Sequence, residues 1–396
     1  MFWEKEGKLI YSYDGETVCI EAWGKDALRV RATKNRSFTG RDWALEAKDA
    51  HAGEVEIFED PSAKGGAFAN MYEGTDTSYG KITNGKLHAV IDSGSVITFY
   101  HEDGRVLLKE HFRRLRDEES MPLNIMGREY SNGVGDNFRI VARFVARKGE
   151  KIFGMGQYQQ HELDLKGCML ELAQRNSQVS VPFYLSSIGY GFLWNNPGVG
   201  QVMFANNGTE WVTESGKEID YLVIAGDTPA EIEENYMTLT GKPPMMPEYG
   251  MGFWQCKLRY WNQEQLLSVA RKYKELGVPL DVIVVDFFHW TKQGEFKFDP
   301  KYWPDVPGMC RELKEMGIQV VVSVWPTVDI YSENFEEMKE KGYLVRTEHG
   351  VPLTMLCGGN EVFFDATNPD ARTYVWEKIK KNYYDQGAKL FWLDVA

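Results

Sequence analysis

The feature that most constrains this 396-residue chain is a change of sequence pattern near Pro243. Upstream of it, short runs rich in β-branched and aromatic residues are separated by Gly, Asn and Asp turn signals. Downstream, strand-like and helix-like segments alternate, which is typical of parallel β/α architecture. Residues 242–247 carry three prolines and predict a linker between the two regions. We therefore expect two or more domains, because one hydrophobic core rarely organises a chain of this length.

The first region, residues 1–226, is predicted to be an antiparallel β-sandwich. Its β-rich runs include 28–32, 87–91 and 138–144, each about the length of one sandwich strand. Residues 227–247 are predicted to hold a helix followed by the linker. Thr228 and Pro229 supply a capping residue and a first-turn proline, and Gly241 supplies a stop.

The second region, residues 248–396, has the pattern of the N-terminal half of a (β/α)8 TIM barrel. Strands are predicted at 250–256, 282–287, 319–325 and 390–395, with helices near 263–276, 309–316, 333–341 and 370–385. A complete barrel has eight strands, so about four of eight are present. An open doubly wound sheet would need a Gly-rich phosphate loop after its first strand, whereas residues 256–259 are CKLR. An incomplete barrel is therefore the predicted fold of this region.

The composition excludes several classes of function. The net charge of −13 and the isoelectric point near 5.2 repel phosphate backbones and anionic lipids, so we expect neither nucleic acid nor a membrane as partner. The 5 cysteines include no Cys-x-x-Cys pair, which argues against a disulfide framework and a zinc site. The first residues lack a signal-peptide pattern, and no apolar run reaches the length of a membrane span. We expect a cytoplasmic protein without a metal or cofactor.

The C-terminal ends of the predicted barrel strands hold the candidate site, because active sites of such barrels form there. These positions are Trp254, Cys256, Asp286, Trp325 and Asp394. Carboxylates beside aromatic side chains suit sugar hydrolysis, which needs a carboxylate at the anomeric carbon and flat apolar faces. Structural explanations stay open: an aspartate after a strand can cap a helix or bond a turn amide, and tryptophans mostly pack cores. His289 has no partner that the sequence defines, and we assign it no role.

Several segments, taken in their order along the chain, carry a family resemblance. In the second region they are 252–257 (GFWQCK), 284–290 (VVDFFHW), 322–326 (VSVWP) and 391–394 (FWLD); in the first region they are 175–184 (RNSQVSVPFY) and 189–197 (GYGFLWNNP). Together they resemble glycoside hydrolase family 31, in its α-xylosidase-like branch. The resemblance covers most of the chain beyond about residue 152 and is weaker before it.

This resemblance implies a retaining mechanism in which Asp394 is the catalytic nucleophile and forms a covalent glycosyl-enzyme intermediate. It also implies that Asp286 binds a sugar hydroxyl and that Trp325 and Trp392 line the sugar pocket. Trp254, at the end of the first strand, joins the predicted substrate-binding residues. The residues alone would instead pair Asp286 with Asp394 as acid and nucleophile. In the family, the general acid comes from a later strand, beyond residue 396.

The predicted substrate is an α-linked xyloside. Phe287, directly after Asp286, predicts a pocket too crowded for the hydroxymethyl group that distinguishes glucose from xylose. We therefore expect an enzyme that releases α-linked xylose from the non-reducing end of an oligosaccharide or a small α-glycoside. The alternative within the family is an α-glucosidase or an α-glucosyl transferase.

Two hypotheses from other functional classes stay open. The chain could be a non-catalytic sugar-binding or scaffold protein, or an inactive fragment of an interrupted reading frame. Family members usually continue with a glutamate and a proline soon after the nucleophile, whereas this sequence has Asp394-Val395-Ala396. For the chain as given we expect no catalytic activity and poor solubility, because half a barrel leaves strand edges unpaired. A homo-oligomer of the full-length enzyme is also left open.

Overall fold

The computed structural model describes residues 1–46, 49–61, 76–111, 125–347, 349–355 and 360–395. The chain divides into two compact units, Met1–Pro243 and Pro244–Ala396. The division falls inside the proline-rich segment where the sequence pattern changes.

The described part of the first unit is dominated by antiparallel strands. They are β1 (Phe2–Lys5), β2 (Lys8–Tyr13), β3 (Glu16–Trp23), β4 (Ala27–Thr33), β5 (Ala50–His51), β6 (Glu54–Phe58), β7 (Tyr79–Asn84), β8 (Leu87–Asp92), β9 (Ile97–His101), β10 (Val106–Lys109), β11 (Arg128–Asn132), β12 (Phe138–Phe144), β13 (Ile152–Gln157), β14 (Met169–Leu172), β15 (Val179–Ser186), β16 (Tyr190–Trp194), β17 (Gly200–Ala205), β18 (Gly208–Gly216) and β19 (Ile219–Ala225).

These strands form a sandwich around one core. In the described residues, a nine-stranded sheet has the order β1-β2-β3-β4-β19-β16-β15-β13 with β5 beside β3, and two five-stranded sheets have the orders β10-β9-β8-β7-β6 and β11-β12-β18-β17-β14. One cluster of buried apolar side chains draws residues from every one of these sheets, among them Leu9, Ile82, Ile140 and Trp194. The predicted N-terminal β-sandwich is therefore confirmed, with a core of its own.

Helix α1 (Pro229–Thr240) follows the sandwich and begins as predicted, since the Thr228 side chain accepts a hydrogen bond from a first-turn amide. Its residues Ile232 and Leu239 are buried in a cluster with Leu222 of β19. The sequence groups this helix with the linker, but it lies within the first compact unit, because the sheet covers its apolar side.

The second unit begins with a 3₁₀ turn at Glu248–Met251 and then alternates strands with helices. Its strands are β20 (Trp254–Gln255), β21 (Val282–Val285), β22 (Gln319–Val324), β23 (Thr327–Asp329), β24 (Glu361–Phe363) and β25 (Leu390–Leu393), and its helices are α2 (Gln263–Glu275), α3 (Val306–Glu315), α4 (Phe335–Glu340) and α5 (Pro369–Ile379). A π-helical turn, Lys380–Tyr384, continues α5. Strands β20, β21, β22 and β25 pair in parallel in that order, and β23 pairs antiparallel with β24.

The four parallel strands and the four helices described in this unit agree with the sequence pattern in type and differ from it in length, whereas β23 and β24 were not predicted. The first predicted strand, 250–256, is reduced to Trp254–Gln255, because the preceding residues form the 3₁₀ turn. Helices α2 and α3 end as predicted at Gly277 (φ 66°) and Gly317 (φ 75°). Both glycines are left-handed, a conformation that glycine adopts without steric cost.

None of the described helices is both long and apolar enough to pass through a lipid bilayer. Over the same residues, no three His, Cys, Asp or Glu side chains converge as ligands of a metal ion would. Cys19, Cys168, Cys256 and Cys310 are free thiols, and Cys357 lies outside the described residues.

Candidate active site

The parallel sheet of the second unit has two different faces, because side chains alternate along a strand. On one face, Val285 and Val322 pack in an apolar cluster with residues of the helices. On the other face, Val284 and Val321 form a separate small cluster, against which Leu390 of β25 packs. We call this second side, defined by Val284, Val321 and Leu390, the inner face.

The predicted carboxylates continue the inner face beyond the ends of the strands. Even steps along a strand return to the same face; Asp286 is two residues beyond Val284, and Asp394 is four beyond Leu390. Trp325 holds the same position relative to β22 as Asp394 does to β25, since Val324 pairs with Leu393. The amide of Asp394 donates to the carbonyl of Val324 at 3.0 Å. The Asp394 backbone therefore lies directly beside that of Trp325.

Asp286 is half-buried and accepts two local hydrogen bonds. Its Oδ1 accepts from the Phe287 amide at 2.8 Å, and its Oδ2 accepts from the Cys256 thiol at 3.5 Å. Burial and the neighbouring Asp286 charge raise the pKa of Cys256 to about 11, so the thiol keeps its proton at neutral pH. A carboxylate has about four lone-pair positions. Asp286 can therefore accept further bonds from a ligand hydroxyl.

Aromatic rings gather around Trp325, next to Asp286. Phe287 stacks on Trp325 with centroids 5.1 Å apart, and Trp290 meets the same indole edge-on at 6.2 Å. Phe288 contacts Phe287 at 4.2 Å and is 50% exposed. The Nε1 of Trp325 is buried without a hydrogen-bond partner in the described chain. A sugar hydroxyl is the kind of acceptor that would satisfy it.

Asp394 lies at an accessible strand end. Its Oδ1 accepts from the Val395 amide at 2.9 Å. The two residues before it, Trp392 and Leu393, are 48% and 68% exposed. The carboxylate bonds the amide of its own neighbour and caps no helix of the described chain, so it remains free to meet an electrophile.

Trp254 and Trp392 occupy the inner face below the strand ends. Trp254 pairs with Val282, which places it about 13 Å before Asp286 along the strand direction. It is 41% exposed, and Trp392, paired with Ser323, is 48% exposed. Among the described residues, neither ring stacks on the aromatic group around Trp325. The register places Trp392 level with Asp286 along the strands, whereas Trp254 lies well before it.

His289 is buried, with 2% of its surface exposed, and has two fixed partners. Its Nδ1 lies 2.9 Å from the carbonyl oxygen of Asp286, and its Nε2 lies 2.9 Å from the hydroxyl of Tyr383. A carbonyl can only accept, so Nδ1 carries the proton and Nε2 accepts from Tyr383. Burial lowers the pKa of His289 to about 4, which keeps the ring neutral at pH 7.

Sequence reasoning missed two members of this site and the role of a third. Cys256 was placed at a strand end without a role, and the Tyr383 partner of His289 lies 94 residues further along the chain. Arg259 donates to the Phe288 carbonyl at 2.8 Å and lies over the Phe288 ring at 5.2 Å. The only sequence signal for Arg259 was its place in the segment 256–259 (CKLR), which follows the first strand where a doubly wound fold would have a Gly-rich phosphate loop.

Carboxylates and aromatic rings at the C-terminal edge of a parallel β/α sheet are the arrangement expected of a glycoside hydrolase of the barrel type. Residues 17–202 match the glycosyl hydrolase 31 N-terminal galactose mutarotase-like domain, and residues 243–396 match the glycosyl hydrolases family 31 TIM-barrel domain. An uncharacterized family 31 glucosidase, ORF2 of Pseudescherichia vulneris, is 44% identical over 99% of this chain and 73% of its own length. The chain belongs to glycosyl hydrolase family 31, with an N-terminal β-sandwich and part of the family's TIM-barrel domain.

Two further relatives are α-xylosidases. Alpha-xylosidase A of Aspergillus niger is 31% identical over 96% of this chain and 52% of its own length. The crystal structure of a family 31 α-xylosidase from a soil metagenome, complexed with xylose, superposes with a TM-score of 0.88 at 48% identity and covers 100% of this chain and 57% of that one. The chain therefore spans about half the length of these two relatives.

Proposed function

We propose that this chain carries the nucleophile and the sugar pocket of a retaining α-glycoside hydrolase that releases α-linked xylose from the non-reducing end of xylosides or xylo-oligosaccharides. The observation that carries the proposal is the position of Asp394, half-buried at the end of β25 and beside the backbone of Trp325. The 48% identity to a solved α-xylosidase supports the choice of sugar.

In this proposal Asp394 attacks the anomeric carbon. The bond from that carbon to the leaving oxygen breaks as the bond to the Asp394 carboxylate forms, and water later hydrolyses the glycosyl ester. Attack requires a charged, accessible carboxylate. The single local bond that Val395 donates to Oδ1 leaves the other oxygen of Asp394 available for that step.

Asp286 is proposed to bind a sugar hydroxyl instead of acting as the general acid. Its two oxygens each accept one hydrogen bond, from the Phe287 amide and the Cys256 thiol, so the side chain is held in place on the loop after β21. The remaining lone pairs of the carboxylate can accept bonds from a sugar hydroxyl.

The general acid is proposed to lie outside the described residues of the second unit. In retaining enzymes the two carboxyl groups are about 5–5.5 Å apart. Of the predicted strand-end positions, only Asp286 and Asp394 are carboxylates, and Asp286 is assigned to binding. We therefore propose that residues 1–396 expressed alone do not turn over glycosides.

The xyloside preference is proposed to come from Phe287. Its ring stacks on Trp325 immediately after Asp286, so the space beside the bound hydroxyl is filled by aromatic carbon. A hydroxymethyl group on the sugar would have to displace that ring, and overpacking of this kind typically costs about 1–3 kcal/mol.

The test compares kcat/KM for an aryl α-xyloside and the matching α-glucoside, using protein expressed from the complete reading frame. We expect a xyloside preference of about 10-fold or more, which Phe287→Ala should reduce. The matched control is Phe253→Ala, because Phe253 is 49% exposed and stacks on Tyr273 of α2. A glucoside preference in the unmodified enzyme would contradict the proposal.

An α-glucosidase or α-glucosyl transferase is the second candidate, favoured by the name of the relative from Pseudescherichia vulneris, a family 31 glucosidase. The same kinetic comparison separates glucoside from xyloside specificity. Chromatography of the products separates hydrolysis from transfer, since only transfer builds a longer saccharide.

We also propose that the protein works in a reducing compartment, the cytoplasm. The four cysteines that the structure describes are free thiols, as is usual where thiols are kept reduced. Fractionation of cells that express the complete gene would test this.

A further inference from the structure

The loop after β21 is held from below by a pair of buried side chains. His289 donates from Nδ1 to the Asp286 carbonyl and accepts at Nε2 from the Tyr383 hydroxyl, each at 2.9 Å. Their exposed fractions are 2% and 1%, so neither side chain can touch a substrate. Both partners of the imidazole are defined, and its neutral tautomer is the one that satisfies both.

Tyr383 comes from an unusual backbone segment. It belongs to the π-helical turn Lys380–Tyr384, a rare conformation that is found frequently at functional sites. The Tyr383 ring packs on Phe298 at 5.2 Å and on Phe391 at 6.4 Å. Phe391 lies in β25, the strand that ends at Asp394. Tyr383 therefore contacts the strand of the proposed nucleophile and, through His289, the loop of the proposed sugar-binding carboxylate.

The loop that His289 anchors contains a residue in a left-handed backbone conformation. Phe288, between Phe287 and His289, has φ 63°, in the left-handed region that a bulky side chain rarely adopts. A residue persists in such a conformation only when its surroundings hold it there. The anchors on either side are the His289 bond to Asp286 and the Arg259 bond to the Phe288 carbonyl.

We infer that His289 and Tyr383 are a positioning pair. Together they fix the position and orientation of Asp286, and of the adjacent Phe287 ring, in the proposed sugar pocket. The inference deepens the proposed function and rests on it. His289 holds the main chain of Asp286 while the carboxylate stays free for a sugar hydroxyl. Loss of the pair lets the loop relax and moves the carboxylate away from that hydroxyl, and a shift of about 1 Å can cost as much as 100-fold in rate.

The test is a double-mutant cycle with Tyr383→Phe and Asp286→Asn in protein expressed from the complete reading frame. Tyr383→Phe keeps the ring and removes the hydroxyl that bonds His289. We expect it to lower kcat/KM for an aryl α-xyloside by about 10-fold in the unmodified background. In the Asp286→Asn background we expect less than a twofold further loss, because the group that the pair positions is already impaired.

A purely structural role predicts a different result, since a general loss of folding would lower activity equally in both backgrounds. An equal loss overturns the inference. The matched control is Tyr374→Phe, which removes a buried hydroxyl bonded to Asn334 and Glu337 in the same unit. It should leave kcat/KM within twofold of the unmodified enzyme. A Tyr374→Phe loss as large as that of Tyr383→Phe also counts against the pair.

A second variant and a second readout keep the test decisive. If Tyr383→Phe does not fold, His289→Asn replaces it in the cycle. The side-chain amide of the new asparagine can still donate toward the Asp286 carbonyl, whereas the bond to Tyr383 is lost. Xylose binding, followed by tryptophan fluorescence, repeats the cycle without catalysis and should show the same dependence on Asp286. An unmodified enzyme that neither hydrolyses xylosides nor binds xylose would overturn the proposed function and the inference together. Normal activity with equal losses in both backgrounds would overturn the inference alone.

Discussion

The nine-stranded sheet of the first unit and the parallel sheet of the second use the same residue types in opposite ways. In the first, every residue of β16 and of β19 is buried, and Phe192 stacks on Trp211 and Tyr221 at 5.1 Å each. In the second, Trp392 is 48% exposed on the inner face. Aromatic side chains therefore build a closed core in one sheet and an accessible surface in the other.

The carboxylates show the same contrast. Asp220 of β19 is fully buried, and Arg29 donates to it from Nε at 2.9 Å and from Nη2 at 2.7 Å. Asp394 and Asp286 accept only from their own neighbours' amides and from the weakly donating Cys256 thiol in the described chain. A buried charge is tolerated when it is paired, whereas an accessible carboxylate with spare lone pairs can bind or react. The hydrogen-bond partners of each aspartate, more than the residue type, distinguish a structural carboxylate from one that can bind or react with a substrate.

The largest effect is expected at the accessible carboxylate. Asp394→Asn, in protein from the complete reading frame, should lower kcat by about 10⁴-fold or more, because the amide cannot form the glycosyl ester. The free energy of unfolding should change by less than about 1 kcal/mol, since the side chain makes only a local bond at an exposed strand end. Turnover assays and urea unfolding measure the two quantities. A kcat above a tenth of the unmodified value, or a large loss of stability, would contradict the expected difference between Asp394 and the buried Asp220.

The buried pair of the first unit should show the reverse behaviour. Arg29→Met leaves the Asp220 carboxylate buried without its cation, with a hydrogen bond from the Asn195 amide remaining, and should reduce the free energy of unfolding by about 3–5 kcal/mol. The double variant Arg29→Met with Asp220→Leu removes both charges and should cost less than the single change. Urea unfolding of both variants tests this order. A double variant less stable than Arg29→Met would show that the ion pair itself supplies the stability.

A pH effect is expected from His289, whose folded pKa of about 4 lies below its ordinary value of 6.5. Between these values the unfolded chain binds more protons than the folded one, so stability rises with pH through this window and is lost as pH falls from 6.5 towards 4. The loss attributable to His289 is about 3 kcal/mol, at about 1.4 kcal/mol per pKa unit. His289→Asn should flatten the pH dependence of unfolding between pH 4 and 6.5 relative to the unmodified protein. An unchanged slope would mean that the imidazole does not titrate in this way.

The smallest effect concerns the thiol beside Asp286. Because burial and the Asp286 charge raise the pKa of Cys256 to about 11, alkylation at pH 8.5 should be slow. Asp286→Asn removes the charge and should speed alkylation of Cys256 several-fold. Peptide mapping after iodoacetamide treatment measures the rate at this cysteine, with partly buried Cys168 as the internal reference. Equal rates in both proteins would place the thiol and the carboxylate further apart than 3.5 Å.

Local chemistry made much of the fold predictable. The start of α1 follows from the Thr228 cap, and the ends of α2 and α3 follow from Gly277 and Gly317, because caps and left-handed glycines act over a few residues. The strand-end positions of Asp286 and Asp394 follow from the alternation of strands and helices. The family was predicted from ordered motifs in both units, and it is confirmed by domain models that match residues 17–202 and 243–396.

Contacts between distant segments were not predictable in this way. The bond between His289 and Tyr383 spans 94 residues and depends on a π-helical turn, for which no sequence signal was available. The short first strand depends on the 3₁₀ turn at Glu248–Met251, which the apolar pattern of that segment conceals. Trp254 looked like a strand-end residue for this reason, yet it lies well below Asp286 on the inner face.

The identity of the nucleophile is the central claim, and covalent trapping tests it most directly. A fluorinated α-xyloside with a good leaving group should inactivate the enzyme from the complete reading frame and leave one glycosyl ester per active site. Mass spectrometry of the digested protein should find the label on the peptide that contains Asp394, and Asp394→Asn should remain unlabelled. A label on Asp286 would contradict the account, because the carboxylate assigned here to substrate binding would then be the one that attacks.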